Sequence, residues 1–140
     1  MNYYFAHPIT IYNTRKEGVL IDMIRNCTFF SNPLVINPNS GYHEDRYKKE
    51  GMDYFLSLVD TCDALVYYPF EDNTIGAGVV KEILRAKLKG KRVFSIDPQT
   101  FDIEEVFDGL KNCLTVEDTR DKIQEIKSKQ YEKTSANRNR

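Results

Sequence analysis

Short β-rich runs alternate with longer amphipathic stretches along this chain, and each switch carries turn residues. That alternation limits the architecture more than any other feature. Strands that recur with a helix between them pair in parallel, and both faces of the resulting sheet are then covered. Asn2–Ala6 is a compact aromatic run stopped by Pro8. Val19, Leu20, Met23, Ile24 and Cys27 fall at helical spacing between about residues 13 and 30. Leu34-Val-Ile-Asn-Pro38 reads as a second strand, ended by Pro38 and the turn signals Asn39, Ser40 and Gly41. Met52, Phe55, Leu56 and Val59 mark the apolar face of a second helix.

Asp63-Ala-Leu-Val-Tyr-Tyr68 is continuously apolar after its first residue, the pattern of a central strand buried on both sides. Glu71 to Gly78 forms a polar, glycine-bearing loop that opens a third helix from Val79 to about Lys89. Val93–Ile96 is a fourth strand. A short helix over 103–110, a strand over 113–116 and a helix from Glu117 to about Lys129 are expected to follow. The fold class is therefore α/β: a single-domain, Rossmann-like (flavodoxin-like) doubly wound parallel sheet of about five strands. At 140 residues the chain has the length of one domain. The domain is expected over residues 1–131, with 132–140 a flexible basic tail.

Composition excludes several function classes. Twenty Lys and Arg against 21 Asp and Glu leave a net charge of −1, which argues against broad electrostatic binding to nucleic acid. The apolar runs are far shorter than the roughly 20 residues needed to cross a bilayer, and no basic residue precedes the first of them, so neither a membrane span nor a signal peptide is expected. Cys27, Cys62 and Cys113 are odd in number, widely spaced and accompanied by only two histidines, which gives no metal-ligand pattern. Three reduced, mostly buried thiols in a cytoplasmic protein is the expectation, with no metal and no cofactor.

A parallel sheet binds ligands beyond the carboxyl ends of its strands. Among the loops expected there, Thr74-Ile-Gly76-Ala-Gly78-Val-Val-Lys-Glu82 stands out. Its two glycines let backbone approach a ligand, the following helix start presents free N–H groups, and a carboxylate sits within the first turns. Alone, the same residues also fit a glycine-bearing turn with Glu82 solvated. His43, Glu44, Asp45 and Arg46 read as a loop and the first turn of a helix rather than as an acid–base or metal cluster. The loop tyrosines, Tyr12 and Tyr42 among them, are candidates to stack on a base.

Three segments taken together resemble one family. Tyr4-Phe5-Ala6-His7-Pro8-Ile9 is similar to the opening strand of the nucleoside 2-deoxyribosyltransferase family, which also contains nucleotide N-glycoside hydrolases. Asp63-Ala-Leu-Val-Tyr-Tyr68 resembles its third strand. Gly78-Val-Val-Lys-Glu82 through Gly90-Lys-Arg-Val93 resembles its signature of a glutamate eight residues before Gly-Lys.

The resemblance implies cleavage or transfer at the N-glycosidic bond of a nucleoside or nucleotide. Glu82 would be the nucleophile, Tyr4 the phenol that orients it, and Asp63 an acid near the leaving base. Ala6, His7, Pro8, Asp72, Gly76 and Gly78 would surround the substrate. Where many members carry an acid six residues before the glutamate, this chain has Gly76, and Asp72 is the nearest acid. The family's phosphate-binding Ser and Arg are Pro8 and Thr10 here. His7, Thr10 and Arg15 could contact a phosphate instead. A homo-oligomer, dimer or larger, and a small-molecule partner are also implied. A non-catalytic nucleotide-sensing module on the same fold is the alternative from a different class.

Overall fold

The computed structural model describes residues 1–138. Five strands, β1 (Asn2–Ala6), β2 (Leu34–Ile36), β3 (Ala64–Tyr67), β4 (Arg92–Ile96) and β5 (Ile103–Glu105), form one sheet in the order β2-β1-β3-β4-β5. The helices are α1 (Arg15–Arg25), α2 (Gly41–Glu50), α3 (Met52–Thr61), α4 (Ala77–Leu88) and α5 (Val116–Arg138), with a 3-10 turn at Ile9–Ile11. The first four strands run parallel and β5 runs antiparallel to β4. This is the expected single-domain Rossmann-like α/β fold.

The period-two alternation of β1 divides the core. Tyr3 and Phe5 pack with Leu20 and Ile24 of α1 on one face. Tyr4 and Ala6 pack with Val59 of α3 and with Val79, Ile83 and Ala86 of α4 on the other. All four residues of β3 are buried, which accounts for its unbroken apolar run. From β1 the chain crosses through α1 to β2 on one side; from β3 it crosses through α4 to β4 on the other. The carboxyl ends of β1 and β3 therefore diverge at the topological switch point, where such sheets open a crevice.

Four elements differ from the sequence-based expectation. Residues 103–110 are not a helix. Asp97 Oδ1 accepts from Gln99 N at 2.8 Å and Thr100 N at 3.1 Å, and Phe101 takes a φ of 61°. The chain reverses there and returns along β4 as β5, held by the forked Arg92–Glu105 pair at 2.7 and 2.8 Å. The i, i+3 spacing of Ile103 and Val106 imitates a helical stripe.

With that edge already occupied, 113–116 makes no full strand. Cys113 forms a lone bridge to Ile75, and Thr115 then caps α5 through Asp118 N at 3.0 Å. Gly51, at φ 70° and ψ −156°, breaks the expected second helix into α2 and α3, so His43 to Arg46 lie within a helix. The helical backbone of α5 extends through Arg138, into the stretch expected as a tail; residues 139–140 lie outside the described residues. Of the three free cysteines, Cys62 is buried, Cys27 half-buried and Cys113 exposed. No helix among the described residues is long and apolar enough to cross a membrane.

Candidate active site

The crevice at the switch point holds a hollow of about 390 Å³. His7 and Pro8 enter it from the end of β1, Pro38 from the end of β2 and Phe70 from the end of β3. Gly76, Gly78 and Glu82 face it from α4, and Thr119 and Ile123 from α5. Its remaining wall is mostly apolar or aromatic, including Tyr12, Tyr47, Met52 and Phe55, with Glu44 as a second acid; among the described residues no Lys or Arg lines it. A hollow of this size and polarity is typical of small-molecule sites.

Glu82 is 5% exposed and sits in the second turn of α4, on the face that the helix turns toward the sheet. Burial without a cation nearby pushes its carboxyl up to about 8, an increase that the Tyr4 hydroxyl partly offsets. Tyr4 is fully buried on β1, and burial first, then the Glu82 charge, holds its phenol well above the usual range. The two groups lie against each other without completing a bond of standard geometry. Tyr4 Oη and Glu82 Oε2 are the buried side-chain polar atoms that have no hydrogen-bond partner among the described residues. Buried polar groups are nearly always satisfied, and of this pair Glu82 is the one that faces the hollow, where a ligand's polar atom can reach it.

His7, 3% exposed, is held from both ring nitrogens. Nδ1–H donates to the Phe5 carbonyl at 2.9 Å, and Nε2 meets Glu17 Oε2 at 2.8 Å. Its ring stacks on Phe5 with centroids 4.1 Å apart. Glu17 also accepts from Asn39 Nδ2 at 3.0 Å and from Asn13 N at 3.2 Å. Burial alone would raise Glu17's carboxyl, yet the bonds from His7, Asn39 and Asn13 outweigh it and hold the group low. This network joins the loops after β1 and β2 to α1 beneath the hollow.

Gly76 requires its missing side chain. A Cβ there would lie 3.2 Å from Thr119 Cγ2 and 3.3 Å from Phe70 Cε2. The close approach lets Thr119 Oγ1 accept from Ala77 N at 2.9 Å, so α5 caps the start of α4. Gly76→Ala is expected to cost about 1 kcal/mol by overpacking and to lower the melting temperature by roughly 3 °C. Gly78→Ala, a position inside α4 whose Cβ meets nothing within 4 Å, is expected to raise it slightly. Thermal melts of the two variants check this.

Five of the sequence-derived residues, His7, Pro8, Gly76, Gly78 and Glu82, thus meet in one hollow, with Tyr4 directly behind Glu82. Ala6 is buried in the core beneath it. Asp72 is elsewhere. It lines an adjoining hollow of about 550 Å³ that shares Pro8 and Phe70. Burial would raise Asp72, but its ion pair with Lys122 and its bonds from Thr74 hold it at about 2, so it stays ionised and has no proton to donate at neutral pH.

Asp63 is not in the site. It is exposed at the amino end of β3, where Oδ2 accepts from Asn2 N at 2.7 Å while its own N–H donates to Asn2 O at 2.8 Å. That places it a strand's length, about 13 Å, from the carboxyl end where the hollow lies. An aspartate opening a strand here ties two strand starts together. Glu17 is the residue that sequence reasoning passed over as a site group, whereas Tyr12, a candidate to stack on a base, does line the hollow. Thr14-Arg-Lys-Glu17 has the form of a capping box, and that signal marks Glu17. Thr14 does cap α1, accepting from Glu17 N at 3.4 Å, but the carboxylate reaches past it to Asn13 and His7.

No group of three or more His, Cys, Asp or Glu suited to a metal ion occurs among the described residues. The fold and hollow define a Rossmann-like α/β protein with a buried acid at its switch point. Comparison with protein-family models, curated proteins and solved structures returns no match for this chain.

Proposed function

We propose that this protein cleaves or transfers at the N-glycosidic bond of a nucleoside or nucleotide, with Glu82 as nucleophile. The observation that carries this reading is the Tyr4–Glu82 pair: a buried phenol lying behind a buried carboxyl that faces a hollow at the switch point. Breaking a C1′–N bond builds positive charge on the sugar. A desolvated carboxylate beside C1′ stabilises that charge far better than a hydrated one, because little solvent competes for it. Attack by the Glu82 carboxylate forms a bond to C1′ as the electron pair of the C1′–N bond leaves with the base, which takes up a proton from water. Water or a second base then displaces Glu82 from C1′, as in the two-step retaining glycosidases. Tyr4, whose phenol stays protonated, is the donor that orients the carboxylate during both steps.

The test is incubation with a panel of ribo- and deoxyribonucleosides and their 5′-monophosphates, with and without a second free base, followed by chromatography of free base and exchanged nucleoside. Release of base from at least one member is expected. Exchange between bases assigns transfer, and release in water alone assigns hydrolysis. Binding of a panel member with no turnover supports the sensing module in place of the enzyme.

A further inference from the structure

Tyr12 occupies an unusual position for a tyrosine with no established task. It closes the 3-10 turn, its N–H donating to Ile9 O at 3.1 Å, and its side chain is half-buried in the wall of the hollow that holds Glu82. Its ring leans on the fixed imidazole of His7, centroids 5.0 Å apart. Its hydroxyl makes no hydrogen bond among the described residues, although burial, then the charges of Glu82 and Glu17, raise its pKa. A phenol in that field keeps its proton and remains a donor.

The next residue shows how it is held. Asn13 takes a φ of 63°, the left-handed region that Asn tolerates better than most residues. Its N–H donates to Glu17 Oε1 at 3.2 Å, and its Oδ1 accepts from Asn39 Nδ2 at 3.1 Å. Glu17 thus grips the chain on both sides of Tyr12, through His7 and through Asn13.

We infer that Tyr12 is a substrate-binding residue, its hydroxyl donating to an acceptor of the ligand beside the atom that meets Glu82, with Glu17 as the positioning residue that aims it. This rests on the proposed function and adds a specificity element to the same hollow: the ligand must carry a hydrogen-bond acceptor next to its reacting carbon. Tyr4 serves the carboxylate from behind, whereas Tyr12 serves the ligand from the open side.

The test uses Tyr12→Phe in the full chain. Because the hydroxyl has no partner within the described protein, the melting temperature is expected to stay within about 1 °C of wild type. Base release should fall roughly tenfold to a hundredfold in kcat/KM, the range of a lost hydrogen bond to a buried acceptor. A second arm measures equilibrium binding of the same panel to Glu82→Gln by calorimetry, with and without Tyr12→Phe, and expects a weakening of similar size. Unchanged kinetics and unchanged binding in an active enzyme overturn the role of Tyr12 alone. Binding that weakens in a chain without turnover supports Tyr12 while removing the catalytic reading. No turnover and no binding by any panel member overturn both.

Discussion

Replacing Glu82 with glutamine is expected to make the protein more stable by about 3 kcal/mol at pH 7. The sign follows from the carboxyl's position. Its ordinary value is 4.5, and burial lifts it to about 8 in the folded chain. Below pH 4.5 the group is neutral whether the chain is folded or not, and it costs nothing. Between 4.5 and 8 the unfolded chain releases this proton while the folded chain keeps it, so folding weakens steadily as pH rises. Above about 8 the folded group ionises too and the penalty levels off.

Glutamine is neutral throughout and nearly isosteric, and its amide can donate to the orphaned Tyr4 hydroxyl. The melting temperature of Glu82→Gln should therefore exceed that of wild type by roughly 10 °C at pH 7, and the two should converge below pH 4.5. Melting curves across pH 4 to 9 check this. Parallel curves for the two proteins would mean that Glu82 is ionised and satisfied in the fold, contrary to its buried setting. A residue that stabilises the protein when it is neutralised is kept for some purpose other than folding.

The parts of the fold that were readable beforehand are those whose pattern answers to a single local cause. The unbroken run of β3 has one explanation, burial on both faces, and the structure places it at the centre of the sheet. The aromatic run of β1 and the stripe of α1 likewise needed no distant partner. β5 was hidden because Ile103 and Val106 carry a helical spacing, while the deciding event is the Asp97 turn and the free edge of β4.

The site divides along the same line. Glu82, Gly76, Gly78, His7 and Pro8 are near their strand ends or helix start in sequence, and topology alone carries them together. Asp63 was misjudged because its partner, the Asn2 amide, is remote in sequence and at the opposite end of the strands. Glu17 takes its meaning from His7 and Asn39, contacts that local pattern does not record.

Loss of the Glu82 carboxylate is expected to reduce base release by at least about a thousandfold, because the group acts only as the C1′–N bond breaks. The same role dictates a pH profile. The attacking form is the ionised one, so kcat/KM should rise about tenfold per pH unit on the acid side and level off near pH 8. Were Glu82 instead a proton donor to the leaving base, the dependence would reverse, with activity greatest at low pH and declining through 8. The most direct measurement is therefore kcat/KM for base release from pH 5.5 to 9.5, with wild type and Glu82→Gln side by side. The account predicts a rise to a plateau near 8 in wild type and almost no activity in the variant. A falling profile, or a variant that releases base at the wild-type rate, would contradict it.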